Sequence, residues 1–252
     1  MNRRLTSGLV AVTGLVAFLL LSPAFASGGG ALSDVANNDI SNIPSLQRGA
    51  GNFVNYCSGC HSAKYVRYNQ LARDLQMPED QVVRNLMFAA AKPTETMEIA
   101  MRPEDAQRWF GLVPPDLSLI ARSRGPDYLY NFLRSFYLDP SRTTGVNNLM
   151  LPGASMPHVL ATLQGTQRAV FSEAEVNGTV QHVFDKFEQV SPGTMTPAEY
   201  DEFVRDTVNF LDYIGEPVKA KRQSLGILVM AFLIVFLVLA YLLKREIWRD
   251  VR

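Results

Sequence analysis

The stretch from Leu225 to Leu243 carries no charged side chain, and no other part of this 252-residue chain so narrows what it can fold into. At about 1.5 Å of rise per residue, it is as long as the hydrocarbon core of a bilayer is thick. In that solvent only a helix satisfies every backbone N–H and C=O within the segment. A helix buried in a soluble core is a poor alternative, because the run is apolar on all sides and basic residues flank it. Lys219, Lys221 and Arg222 precede it; Lys244, Arg245, Arg249 and Arg252 follow it. The basic excess on the far side is too slight to set the orientation by itself.

A second apolar stretch opens the chain. Arg3 and Arg4 form a basic head, Leu5 to Leu21 is mostly apolar, and Pro23 leads into Ala24-Phe25-Ala26. This is the anatomy of a secretory signal peptide cleaved after Ala26. A second membrane helix fits less well, since the segment is short, broken by polar residues and followed by a glycine run. The expected layout is a signal peptide at 1–26, an exported periplasmic domain at 27–215, a linker at 216–224, a transmembrane helix at 225–243 and a cytoplasmic tail at 244–252. The zero formal charge hides an asymmetry. Between Ser27 and Gly215 there are 15 Lys plus Arg and 21 Asp plus Glu, a net charge of −6. An acidic exported domain argues against nucleic acid as a partner. It suits a basic or neutral partner and plain solubility equally well.

The exported part reads as mainly α. Pro44 to Tyr56, Pro78 to Ala91, Pro103 to Phe110 and Gly125 to Tyr137 show helical spacing, separated by long Pro/Gly loops. Thr196, Pro197 and Glu199 form a capping box that opens a helix with Tyr200, Phe203, Val204, Val208 and Leu211 on one face. Gly215 and Pro217 stop it. There is little alternation of period two, and His182 falls in a polar, helix-like stretch.

Only two cysteines are present, and Cys57-Ser58-Gly59-Cys60-His61 spells C-x-x-C-H. Two thiols one turn apart can add to the two vinyl groups of a haem, and the adjacent histidine then sits under the iron. A redox-active C-x-x-C wants a βαβ context, which is missing. A structural zinc site wants four ligands, and no second cysteine pair exists. One covalent haem c is therefore expected, bound by Cys57, Cys60 and His61. For the sixth iron position the chain offers His158 in a loop, the solvated His182, or a methionine. Most methionines suit core filling. Met150 and Met156 lie instead in a loop, Met156 within the rigid Pro152-Gly153-Ala154-Ser155-Met156-Pro157. The residues alone leave Met156 against all others open.

Four features in order resemble the cytochrome c1 family. They are the Cys57–His61 motif followed by Ser62 and Tyr65; Val113-Pro114-Pro115-Asp116-Leu117-Ser118 with Ile120-Ala121-Arg122 and Asp127-Tyr128; the Pro152-Gly153 loop leading to Met156-Pro157; and a helix after Thr194-Met195-Thr196 that feeds one late membrane anchor. The resemblance implies a cytochrome c-like haem domain with one C-terminal transmembrane helix. It implies Met156 as sixth ligand, Arg122 and Tyr128 near a haem propionate, and Pro114 and Pro115 packed by the haem near His61. On residues alone, Arg122 reads as a solvated surface arginine. The run Asn147-Asn148-Leu149-Met150-Leu151 lacks the aromatic residue that relatives often carry, which keeps Met150 as a rival, and the loop disulfide of some bacterial relatives cannot form. The implied function is electron transfer in a respiratory quinol–cytochrome c reductase. Electrons would pass from a Rieske iron–sulfur protein to a soluble or tethered cytochrome c, beside cytochrome b in a dimeric complex. A haem sensor with an open iron position and a c-type subunit of another membrane complex are the competing classes. The latter commonly carry an early anchor or several C-x-x-C-H motifs.

Overall fold

The computed structural model describes residues 32–250 apart from 177 and 178; the expected signal peptide lies outside the described residues. Helix α1 (Ile43–Tyr56) opens at Asn42, whose side chain accepts from Ser45 N, and carries Pro44 in its first turn. Strand β1 (Ala63–Arg67) and the short helices α2 (Tyr68–Asp74) and α3 (Glu79–Asn85) follow, then β2 (Thr96–Met97) and α4 (Pro103–Phe110). Next come α5 (Ile120–Arg124), α6 (Pro126–Arg134), β3 (Phe136–Leu138), β4 (Val146–Asn148) and α7 (Ala161–Gln164). The chain closes with β5 (Gly165–Val176), β6 (Thr179–Pro192), α8 (Pro197–Gly215) and α9 (Lys219–Ile247).

The core forms where α1 crosses α8. Leu46, Ala50 and Phe53 of α1 meet Val204, Val208 and Phe210 of α8, all essentially without solvent exposure. The Phe53 and Phe210 rings lie 5.6 Å apart. Each such apolar side chain contributes about 1.5–3 kcal/mol by leaving water. Gly49 lets the two backbones touch: a Cβ there would stand 2.1 Å from Asp206 O. Asp206 itself is buried, accepting from Ser45 Oγ at 2.6 Å and from Arg48 Nε at 2.5 Å. The capping box at the start of α8 is formed as its sequence predicts, with Thr196 N donating to Glu199 Oε2 at 2.8 Å.

Helix α8 departs from a one-sided amphipathic pattern, because its last ten residues are buried all round. The extended segment at residues 32–41 covers the second face. Asn209 Nδ2 donates to Asp39 O at 2.7 Å, and Arg205 Nε to Ala36 O at 2.9 Å. The same segment reaches α6, where Asn131 Nδ2 donates to Asp34 O at 2.7 Å and Asp127 Oδ1 accepts from Ala36 N at 2.8 Å.

Three expectations fail locally. The helix expected over Pro78–Ala91 ends at Asn85, because the following chain turns at Lys92–Glu95 and bonds to the start of α2, Asn69 N donating to Pro93 O at 2.7 Å. The helix expected to run through Tyr137 ends at Arg134, because Phe136 pairs with Asn148 in an antiparallel ladder. Residues 165–192 form a long antiparallel hairpin rather than loop and helix, and His182 stands exposed on β6. Register shifts at Thr166/Gln167 and Val170/Phe171 interrupt its period-two pattern. Phe184 and Phe187, three residues apart as on a helix, end with rings 4.7 Å apart.

Helix α9 has no buried residue and is long and apolar enough to cross a membrane. At about 1.5 Å per residue its 29 residues extend roughly 43 Å. It starts at Lys219, so residues 219–224 of the expected linker are its first turns. Lys219 Nζ donates to Asp212 Oδ2 at 2.7 Å, and Arg222 Nε to Glu216 Oε1 at 2.6 Å, fastening α9 to the end of α8.

The α1–α8 contact yields a prediction with an internal control. Gly49→Ala is expected to destabilise the detergent-solubilised chain by about 1–3 kcal/mol or more through overpacking. Gly51→Ala, on the same helix with nothing within 4 Å of its added Cβ, is expected to be neutral or slightly stabilising. Thermal melts of both variants check it; equal midpoints would remove Gly49 from the role assigned to it.

Candidate functional site

The C-terminal end of α1 delivers the C-x-x-C-H motif. Cys57 N and Ser58 N both donate to Phe53 O, at 2.8 and 2.9 Å. Cys60 N and His61 N then both donate to Cys57 O, at 3.0 and 2.9 Å. One tight turn therefore holds Cys57, Cys60 and His61 together, and both thiols are free. Burial, helped by the neighbouring Cys60, pushes the Cys57 thiol up to about 12. Among the described residues no group of three or more His, Cys, Asp or Glu is placed to hold a metal ion.

His61 Nδ1 lies 2.8 Å from Pro115 O. A carbonyl only accepts, so Nδ1 carries the proton and Nε2 keeps its lone pair free. Burial lowers the His61 pKa, against the opposing pull of the Pro115 bond and the Asp116 charge. A neutral imidazole, oriented through its other nitrogen, is the form that binds a metal. The Pro114–Ser118 stretch is itself pinned beside the motif. Leu117 N donates to Ser62 O at 2.8 Å, Lys64 N to Asp116 Oδ2 at 2.9 Å, and Tyr65 N to Ser118 Oγ at 3.2 Å. Pro115 thus contributes its carbonyl, while the half-buried Pro114 stiffens the approach.

A cleft of about 340 Å³ opens beside His61, lined by Tyr68, Leu86, Met97, Ile99 and Met101 among others. Large apolar side chains stand exposed around the motif: Tyr65 and Phe88 at 70% and 72%, and Val113 at 48%. Apolar surface of this extent calls for a cover. Two free thiols, one oriented neutral histidine and an uncovered apolar rim fit a covalently held, largely apolar macrocycle with a central metal.

Met156 does not line that cleft; it sits half-buried on the loop after β4. Two adjacent asparagines shape this loop. Asn148, fully buried, accepts through Oδ1 from Met150 N at 2.9 Å and Leu151 N at 3.2 Å. Asn147 Oδ1 accepts from Gly153 N at 2.8 Å, and Arg142 Nη2 donates to Gly153 O at 2.8 Å. Gly153 has φ +82°, which favours glycine. Sequence reading passed over both asparagines as site residues, although side chains that bond backbone one to three residues on are a recognisable turn signal.

An aromatic row lies against the loop. Tyr128 and Phe132 stack at 6.2 Å, Phe132 meets Phe136 at 5.2 Å, and Phe136 stacks on His158 at 5.0 Å with an interplanar angle of 5°. Tyr128 Oη donates to Met150 O at 3.4 Å, so Tyr128 reaches the loop. The backbone of Met150 is thereby tied at both its N–H and its carbonyl. Arg122 lies elsewhere in the set: its guanidinium, 59% exposed, stands 3.9 Å from Glu216 at the head of the membrane helix. His158 is pushed down to about 4 by burial, and both of its ring nitrogens lack a hydrogen-bond partner.

The chain is similar to known proteins over most of its length. The chain is 49% identical over 242 residues to cytochrome c1 of Allochromatium vinosum, covering 94% of this chain and 98% of that one. It is 45% identical over 239 residues to a protein of Nitrosomonas europaea named ammonia monooxygenase gamma subunit, covering 94% and 97%. It is 25% identical over 242 residues to cytochrome b/c1 of Bradyrhizobium diazoefficiens, covering 81% of this chain and 33% of that longer one. The family described as Cytochrome C1 matches residues 38–251, a span that takes in the motif turn, the proline stretch, the methionine loop and the anchor. With one oriented histidine beside a thiol pair and one late membrane helix already in place, the chain belongs to the cytochrome c1 family.

Proposed function

We propose that this chain is the haem c-bearing electron-transfer subunit of a respiratory quinol–cytochrome c reductase. The observation that carries the proposal is the His61 Nδ1 to Pro115 carbonyl contact of 2.8 Å, which presents a neutral Nε2 beside two free thiols. One haem attached through Cys57 and Cys60 supplies a one-electron centre. His61 and Met156 would hold its iron and Pro114 and Pro115 would pack beside His61; Tyr128, which already reaches the methionine loop, would approach a propionate, and Arg122 would do so on leaving Glu216. The protein's residues would tune and position it: His61 and Met156 would supply the ligands, and the Pro115 carbonyl holds the histidine's proton on Nδ1. The chain by itself is a carrier. Quinol oxidation belongs to the complex.

The electron enters from the [2Fe–2S] centre of a Rieske protein and leaves to a soluble or tethered cytochrome c. The relative named cytochrome b/c1 supports a cytochrome b neighbour; α9 would lie beside it, and the resemblance implies a dimeric complex. The basic head and Ala24-Phe25-Ala26 pattern support export of residues 27–215 to the periplasm, with the membrane segment at 225–243 and the tail from 244 in the cytoplasm. The relative named ammonia monooxygenase gamma subunit favours a second reading, in which the same electron carrier serves a different assembly.

Purification from gently solubilised membranes separates these readings. A c-type band that co-purifies with b-type bands, both reduced by quinol, is the expected result. A c-type band without b-type bands, in a fraction that oxidises ammonia, would put the second assembly in its place. The axial assignment has its own test. Met156→Ala is expected to abolish the methionine–iron charge-transfer band, admit carbon monoxide to the reduced haem, and lower the midpoint potential by on the order of 0.1 V, well inside the range that axial ligands command. Met150→Ala, which keeps the backbone bonds of that residue, is expected to leave all three unchanged. The reverse pattern would make Met150 the ligand.

A further inference from the structure

We propose that His158 is a positioning residue for the methionine loop, acting through a polar link from its ring N–H to the side-chain carbonyl of Gln164. The inference rests on Met156 as the sixth ligand. It begins from a deficit in hydrogen bonding. His158 Nδ1 and Nε2 and Gln164 Oε1 are all buried without a partner. A neutral imidazole offers one donor and one acceptor, and an amide oxygen is an acceptor. Buried polar groups left unpaired cost about 1–3 kcal/mol each, so neighbouring orphans of complementary type call for pairing, directly or through one bound water. Polar groups close to the His158 ring include the Gln164 side chain and the Gly165 backbone.

The placement gives the link its consequence. His158 follows Met156 by two residues, at the downstream end of the loop, where no asparagine fastens the chain. Gln164 is itself anchored, since its Nε2 donates to Arg134 O at 3.0 Å. Gln167 Nε2 donates to the same carbonyl at 2.9 Å and to Phe136 O at 2.8 Å. The His158 ring is already flat against Phe136, itself only 2% exposed. Stacking alone fixes the plane of the imidazole and leaves open which of its two edges, related by a flip about Cβ–Cγ, faces Gln164. A bond to Gln164 removes that freedom. It ties the downstream end of the loop to the end of α6 and the base of the hairpin, as Asn147 and Asn148 tie the upstream end.

The test separates the polar link from the stack. In the full membrane-inserted chain, His158→Phe keeps a flat ring on Phe136 and loses both nitrogens. His158→Gln keeps a donor and an acceptor and loses the ring. Gln164→Met removes the acceptor while Arg134 O still accepts from Gln167. The readouts are the methionine–iron charge-transfer band and carbon monoxide binding to the reduced haem, with thermal midpoints recorded alongside. His158→Phe and Gln164→Met are each expected to weaken the band and raise the carbon monoxide affinity by about tenfold. The double variant should be no worse than either, the mark of one shared interaction. His158→Gln should retain the band. An intact band in His158→Phe, or singles that add in the double, overturns the proposal, as does a fall in thermal midpoint with the band unchanged. If both His158 variants lose the band or fail to take up haem, an intact band in Gln164→Met overturns it. Should Met156→Ala itself leave the band in place, the ligand assignment fails instead.

Discussion

Everything in this fold hangs on the place where α1 lies directly on α8. Gly49 removes the side chain that would hold the two backbones apart, and Asp206 sits in the gap with its carboxylate bonded to Ser45 and Arg48. A buried carboxylate is costly unless its oxygens are paired, so the crossing is specified by polar geometry as well as by the Phe53–Phe210 contact. The consequence is directional. Helix α1 ends in the motif turn and α8 ends at the membrane helix, so one contact fixes the haem-binding end of the molecule relative to its anchor.

From that frame, irregular backbone does the placing. The proline stretch, the methionine loop and the residue 32–41 segment have little regular structure, yet side chains aimed at backbone groups tie each of them down. Asp116, Ser118, Asn147 and Asn148 each bond main-chain amides within or beside their own loop. Such bonds stand in for a ladder where the chain has no regular partner. The half-exposed Tyr128 and Phe132 have the same cause: α6 turns these aromatics toward the loop and buries Leu129, Tyr130 and Asn131 against the body.

The sequence was most readable where one local signal dominates. The C-x-x-C-H spacing, the Thr196 capping box and the uncharged run at Leu225 each impose a geometry regardless of context. The hairpin at residues 165–192 was missed because its register shifts turn an alternating pattern into one with Val183, Phe184, Phe187 and Val190 at near-helical spacing. The stop at Asn85 was unreadable for another reason. The residues that end α3 early are bonded to α2, and a single sequence does not announce a contact of that kind. His61 was legible as a ligand, but the Pro115 carbonyl that fixes its tautomer came only through the resemblance, as a proline packed near it.

The junction with the membrane helix follows from the same logic. Only Glu216, Pro217 and Val218 separate α8 from α9. Asp212, whose side chain is 8% exposed, accepts from both Lys219 and Asn38, while Glu216 takes Arg222 and stands near Arg122. One carboxylate in the last turn of α8 and one in the connection thus hold two cations in the first turn of α9. An exposed pair of this kind is worth little alone, about 0–1 kcal/mol. The Lys219 pair gains from the burial of Asp212, and having two pairs on one short connection removes a bending freedom that neither removes alone. A three-residue joint braced in this way behaves as a bracket rather than a hinge. It lies between the body that carries the thiol pair and the apolar helix that anchors it.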